Sequence, residues 1–151
     1  MDIWRFQKGL LKALLGWAVG SIALGLGMRR GGDSFRAGVG EQFVGWGLIN
    51  ALIATAGGIG LMRRNNRGAT DSAGGQTAEK RNLARLLWLN TGLDVFYVFG
   101  GAWYARNHGA TDDHRRGRGV GIMIQGGFLF FFDLINAIRV GRIEVREDSQ
   151  L

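Results

Sequence analysis

Two acids stand inside runs that are otherwise apolar. Asp94 lies in LLWLNTGLDVFYVFGGAWYA and Asp133 in FLFFFDLINAI. A carboxylate in such a run has three uses. With no cation at its own depth, a pair of carboxylates makes a site for a proton, a cation or a cationic ligand. Hydrogen-bonded to Asn, Gln, Tyr or Trp, the same acids pin helices together and do no chemistry. Paired with a rim cation such as Lys12, Arg85 or Arg139 reaching inward, they form ordinary ion pairs. The spacing leaves all three open.

The neighbours of each acid narrow its face. Asn90, Asp94, Tyr97 and Gly101 follow a 4-3-4 spacing, which aligns them on one stripe of a helix. Gln125 and Asn136 fall about 20° apart on a helical wheel, with Asp133 about 60–80° to one side. Asn50 follows Trp46 by one turn. These residues predict one polar seam of Asp94, Asp133, Asn90, Asn50, Gln125, Asn136 and Tyr97, facing inward between helices.

Other chemistries find less support. His108, Asp112, Asp113 and His114 gather in NHGATDDHRRGRG, but nothing fixes their geometry, so a solvated loop and no metal site is expected. The run GRGVG lacks the strand and full spacing of a phosphate loop. No apolar run contains His, so bis-His haem ligation is excluded. The chain has no Cys, hence no disulfide or thiol site. No cofactor is expected.

The elements that must hold the acids are four apolar blocks, at about 11–28, 42–62, 86–105 and 120–138. The mean hydropathy of +0.03 hides them, because nearly all the charge lies between. Each block matches the ~20 residues that cross a ~30 Å hydrocarbon core, and none alternates as a barrel strand would. Insertion scales charge ~2.5–3.5 kcal/mol for a central Asp and return ~0.3–0.6 for each Leu, Ile, Val or Phe. Eight such residues in the third block nearly balance Asp94, so that helix needs partners, whereas eleven in the fourth carry Asp133 more easily.

The prediction is an all-α bundle of four transmembrane helices in one domain, 1–151, built as two helical hairpins. A flexible cytoplasmic linker is expected at 63–85, and MDIWRFQKG reads as an interfacial lead-in. Twelve Lys and Arg fall on the side of the termini and linker against seven opposite, which predicts both termini in the cytoplasm. Asp94 then lies ~12 Å and Asp133 ~7.5 Å from the cytoplasmic edge at ~1.5 Å per residue. Glycine is abundant, 27 of 151 residues, and proline is absent. Gly16 and Gly20, and the stripe Gly47, Ala51, Ala54 and Gly58, are expected at close helix contacts, within the chain or with a partner. The net charge of +7 flanks the apolar blocks, so lipid headgroups and orientation explain it better than nucleic acid.

The motifs NTGLDVFYVFGG at 90–101 and GVGIMIQGGFLFFFD at 119–133, with LGWA at 15–18 and WGLIN at 46–50, resemble an uncharacterised family of small bacterial membrane proteins. Members carry N-x-G-L-D-x-x-Y and Q-G-x-F-L-x-x-F-D. The family often has Asn just after that first Trp, where this chain has Gly47. The resemblance implies a four-helix membrane fold in the bacterial inner membrane, singles out Asn50, Asn90, Asp94, Tyr97, Gln125 and Asp133, and implies no activity. The leading expectation is a non-enzymatic accessory, assembly or structural membrane subunit with a polar intramembrane seam. The alternative is a small proton- or cation-coupled carrier using Asp94 and Asp133. A lipid-acting membrane enzyme ranks below both, for want of a DxxD pairing in one helix. Expected partners are membrane lipids, with a homo-oligomer or larger membrane complex.

Overall fold

In the computed structural model, which describes residues 2–66 and 73–145, four helices follow one another with no strand among the described residues. They are α1 (Ile3–Arg29), α2 (Ser34–Asn66), α3 (Ala73–His108) and α4 (Asp113–Gly141). Local signals set their ends. Asp2 accepts the Trp4 backbone N–H at 3.2 Å, Asp33 that of Phe35 at 2.8 Å, and Asp112 that of Arg115 at 3.0 Å. Each carboxylate thus satisfies an orphan donor of a first turn. That bond and the Arg115 charge hold Asp112 below the ordinary carboxylate range. Gly32, at φ +74°, supplies the left-handed residue in the α1–α2 turn.

The helices overrun the apolar blocks. The expected linker at 63–85 is helical at 63–66 and again at 73–85, and 67–72 lie outside the described residues. Tertiary contacts account for the difference. Arg64 Nη1 donates to Glu79 Oε2 at 3.0 Å, and Lys80 Nζ donates to the Ile143 carbonyl at 2.6 Å. The N-terminal lead-in is likewise part of α1, and it is buried rather than spread on an interface. Ile3, Trp4 and Phe6 pack with Leu61, Leu83, Leu87, Ala137, Val140 and Ile143, so all four helices meet at this end. Arg64 and Arg139 cover the Trp4 and Phe6 rings at 6.0 and 5.7 Å.

The packing order is α1–α2–α4–α3. α1 pairs with α2 and α3 with α4, and α2 against α4 joins the hairpins. No Cα of α2 comes within 8 Å of one of α3. Glycine permits the close pairings. A Cβ on Gly25 would lie 2.6 Å from the Gly40 carbonyl oxygen, and one on Gly101 would lie 2.8 Å from that of Gly119. Of the packing residues expected from sequence, Gly47 abuts Ile22 and Ala18 of α1, and Ala54 is buried with Leu14 and Leu129. Ala51 is half-buried. Gly16, Gly20 and Gly58 approach nothing within 4 Å in this chain. In a chain so rich in glycine, the spacing alone did not pick out the pairs that touch.

Polar residues share the interior with apolar ones, while many large apolar side chains lie on the outside. Gln125, Ser21, Asn50, Asp94 and Asp133 are buried, while Leu52, Phe96, Phe99, Trp103 and Phe131 face outward. Large exposed apolar faces need an apolar surrounding. α1, α2 and α4 are each long and apolar enough to cross a membrane, which suggests a membrane protein. α3 is not among them, in keeping with Asn90 and Asp94 in its middle, but its 36 residues would span ~54 Å at ~1.5 Å per residue.

Candidate functional site

The Asp pair sits where α2 and α3 stand apart. Asn90, Asp94 and Tyr97 share one stripe of α3, α2 brings Asn50, and α4 brings Asp133. Together with Leu14, Trp46, Ile49, Ile53, Leu93 and Leu129 they line a cavity of about 160 Å³. Asp94 and Asp133 thus face one cavity from two helices, with the Asn90 and Asn50 amides in the same lining. Two carboxylates sharing a small, largely apolar cavity repel, which favours a bound proton or cation over two free charges.

The charge of the pair is otherwise unanswered. Among the described residues, neither acid makes an ion pair with Lys or Arg. Lys12 lines a different groove and Arg139 covers Phe6, so the rim-cation reading is corrected. Two residues of the lining each hold a buried polar atom without a hydrogen-bond partner, Asp94 Oδ2 and Asn50 Nδ2. An unpartnered buried acceptor and donor are costly, about 1–3 kcal/mol each, unless something occupies the space beside them.

Along the helix axes the cavity is flanked by a ring contact on one side and an apolar cluster on the other. Trp46 packs edge-on to Tyr97, ring centroids 4.8 Å apart, on the side toward the α3–α4 turn. On the other side, Leu87 begins the four-helix apolar cluster one turn from Asn90. Between α2 and α3 the rim is apolar and exposed, formed by Ile49, Ile53 and Leu93.

Two residues expected in the same seam lie elsewhere. Gln125, fully buried, accepts from Trp17 Nε1 at 3.0 Å and donates to Ser21 Oγ at 3.2 Å, tying α4 to α1. Phe128, one turn on, stacks on Trp17 at 3.6 Å. Asn136 turns its amide back to the Phe132 carbonyl at 2.7 Å. The seam is thus two separate centres, because residues on one helical face can be many ångströms apart along the axis. Trp17 and Ser21 escaped the sequence reading, although their i, i+4 spacing in α1 was visible.

The other candidates supply no competing centre. A larger groove of about 580 Å³ between α1 and α2 carries Lys8 and Lys12 but no carboxylate. In the loop and first turns of α4, Asp112 and Asp113 pair with Arg115 and Arg116. His114 Nε2 lies 3.2 Å from Glu41 Oε1, and Arg118 reaches Glu41 Oε2 at 3.6 Å. Among the described residues, no three His, Asp or Glu side chains converge as metal ligands.

Residues 13–134 match a family of unknown function, DUF6992. The chain belongs to that family. The DUF6992 match covers α2 and α3 whole and most of α1 and α4, ending one residue past Asp133, so every residue lining the acid-pair cavity falls inside it. No curated protein and no solved structure matches the chain.

Proposed function

We propose that this chain is a multi-pass membrane protein, termini in the cytoplasm, whose Asp94–Asp133 pair loads and releases a proton or cation in a small coupled carrier. The observation that carries this reading is a contrast within the molecule. Gln125 saturates its amide on Trp17 and Ser21, as a residue used to join helices should. Asp94 and Asn50, equally buried, keep an unpartnered oxygen and an unpartnered amide nitrogen beside a cavity, with no basic residue in its lining. The accessory-subunit expectation has no comparable observation in its favour.

The chemistry follows from charge. With one proton bound, the pair carries one negative charge, which a bound cation neutralises; loss of the cation favours recovery of a second proton. Exchange of one for the other is the elementary step of proton-coupled transport. Asn90 and Asn50 would orient the carboxyls, and Tyr97 with Trp46 would close the cavity on one side.

The test is proton movement in vesicles carrying the purified full chain and a trapped pH-sensitive dye. With sodium, potassium or an organic ammonium supplied on the opposite side for exchange, wild type should dissipate an imposed gradient faster than empty vesicles, and Asp94→Asn and Asp133→Asn should each slow this by about tenfold or more. Gln125→Leu, which leaves the acid pair in place, should retain the flux in whatever fraction folds. Wild-type vesicles no leakier than empty ones would overturn the reading, as would Asn variants as active as wild type.

A further inference from the structure

We infer that the acid pair takes its ligand sideways from the bilayer, and that the ligand is an amphiphilic organic ammonium. This rests on the reading of Asp94 and Asp133 as a cation site and adds its substrate class and route. The route follows from what blocks the others. Along the axis the cavity meets the Trp46–Tyr97 contact on one side and the four-helix apolar cluster on the other. No Cα of α2 is within 8 Å of α3, so only side chains close the third side. Those side chains are Ile49, Ile53 and Leu93, each roughly half exposed on the outer surface of the bundle. An inorganic ion would have to shed its water against this apolar rim. A molecule already dissolved in the membrane would not.

The ligand class follows from the wall. Behind the rim lie Asp94 Oδ2, an acceptor without a donor, and the Asp133 carboxyl, and no Lys or Arg contributes to the lining. A primary ammonium brings up to three N–H donors and one positive charge, answering both the unpartnered oxygen and the charge of the pair. Its carbonyl-free alkyl tail would lie between Ile53 and Leu93, where the surrounding surface is already apolar. A cavity of about 160 Å³ suits the head group and first carbons, with the rest of the chain left in lipid.

The experiment is carbodiimide labelling of the full chain in vesicles of neutral phospholipid, read at each acid by peptide mass spectrometry. Dicyclohexylcarbodiimide, soluble in lipid, should modify Asp94 or Asp133 about tenfold faster than a water-soluble carbodiimide does. Dodecylammonium should slow that labelling, while methylammonium and dodecanol at equal concentration should not, since one lacks the tail and the other the charge. Ile53→Trp with Leu93→Trp should narrow the mouth and cut labelling several-fold; Ile53→Ala with Leu93→Ala, which only removes rim atoms, should raise it. Equal labelling by both reagents, or protection by methylammonium as good as that by dodecylammonium, would overturn the lateral route and leave the carrier reading to the flux measurement. Failure of dicyclohexylcarbodiimide to reach the pair, or protection by dodecanol alone, would overturn it too.

Discussion

Gln125 and Asp94 are both polar residues buried in the middle of long apolar helices, and they show two ways of meeting the cost. Gln125 has no exposed surface and finds a donor in Trp17 and an acceptor in Ser21. Removing it should therefore weaken the fold. Gln125→Leu strands the Trp17 N–H, and a double-mutant cycle with Trp17→Phe should give a coupling of about 0.6 kcal/mol, with ~1.7 as the ceiling for such pairs in membranes. Reversible unfolding in detergent or bicelles measures it, and zero coupling would contradict the contact. Asp94→Asn should behave differently, because Oδ2 has no donor to lose. Its stability should stay near wild type while proton flux falls. Much of this was legible in the sequence. The 4-3-4 spacing placed Asn90, Asp94 and Tyr97 on one face, as the structure does. What a wheel cannot give is axial register between helices: Gln125 and Asn136, aligned in angle, are ~16 Å apart along α4 at ~1.5 Å per residue. Which side chain of α1 or α3 lies opposite each depends on where the hairpins cross.

At the scale of the helix, glycine decides how closely elements approach, and Asp94 decides whether one of them can enter a membrane alone. Gly25 of α1 and Gly40 of α2 face each other so closely that either Cβ would strike the opposite carbonyl oxygen. Gly25→Val should separate the hairpin and deplete the folded form, as followed by resistance to unfolding in detergent. Gly16→Ala and Gly20→Ala meet open space, and by helix propensity alone should be neutral or stabilising by up to ~1 kcal/mol. A loss of stability at Gly16 or Gly20 would instead mean that a second chain packs there. The step at Gly16 and Gly20 is not among the contacts within this chain, because small residues recur at helical spacing throughout it and only the crossing geometry selects among them. α3 poses the other question. It falls short of the hydropathy of the other three helices, and a single residue supplies much of the deficit. In a translocon assay on the isolated segment 86–105, Asp94→Leu should improve apparent insertion by about 3–4 kcal/mol, most of two to three powers of ten. Unchanged insertion would mean that α3 is limited by its ends and not by its acid. Its burial against α4 in the native chain is what makes the acid tolerable.

For the whole molecule, the sidedness of the membrane decides what the acid pair can do. The segregation of apolar blocks from charge was enough to read an all-α chain of four helices from sequence, since nothing but helix length and composition was needed. The order α1–α2–α4–α3, with α2 and α3 held apart, was not, because it depends on which glycine faces meet. Orientation rests on charge: with the termini and the α2–α3 connection on one side, that side holds twelve Lys and Arg against seven. The same side carries Arg64 and Arg139 over the buried Trp4 and Phe6, and Lys80 bonded to the Ile143 carbonyl. Short basic segments near helix ends are retained in the cytoplasm. A fluorescent protein fused after residue 151 should therefore glow, and alkaline phosphatase fused at 110, in the α3–α4 connection, should be active. Replacing Lys8, Lys12, Arg139 and Arg142 by Gln would leave eight basic residues against seven, and the two reporters should then give mixed signals. If the wild-type reporters agree with the charge count, Asp94 and Asp133 lie in the cytoplasmic half of the bilayer. A ligand from the inner leaflet would then reach them over Ile53 and Leu93, and the Trp46–Tyr97 contact would stand between the pair and the outside. The reverse pattern would exchange those two sides and reverse the gradient that loads the pair with protons.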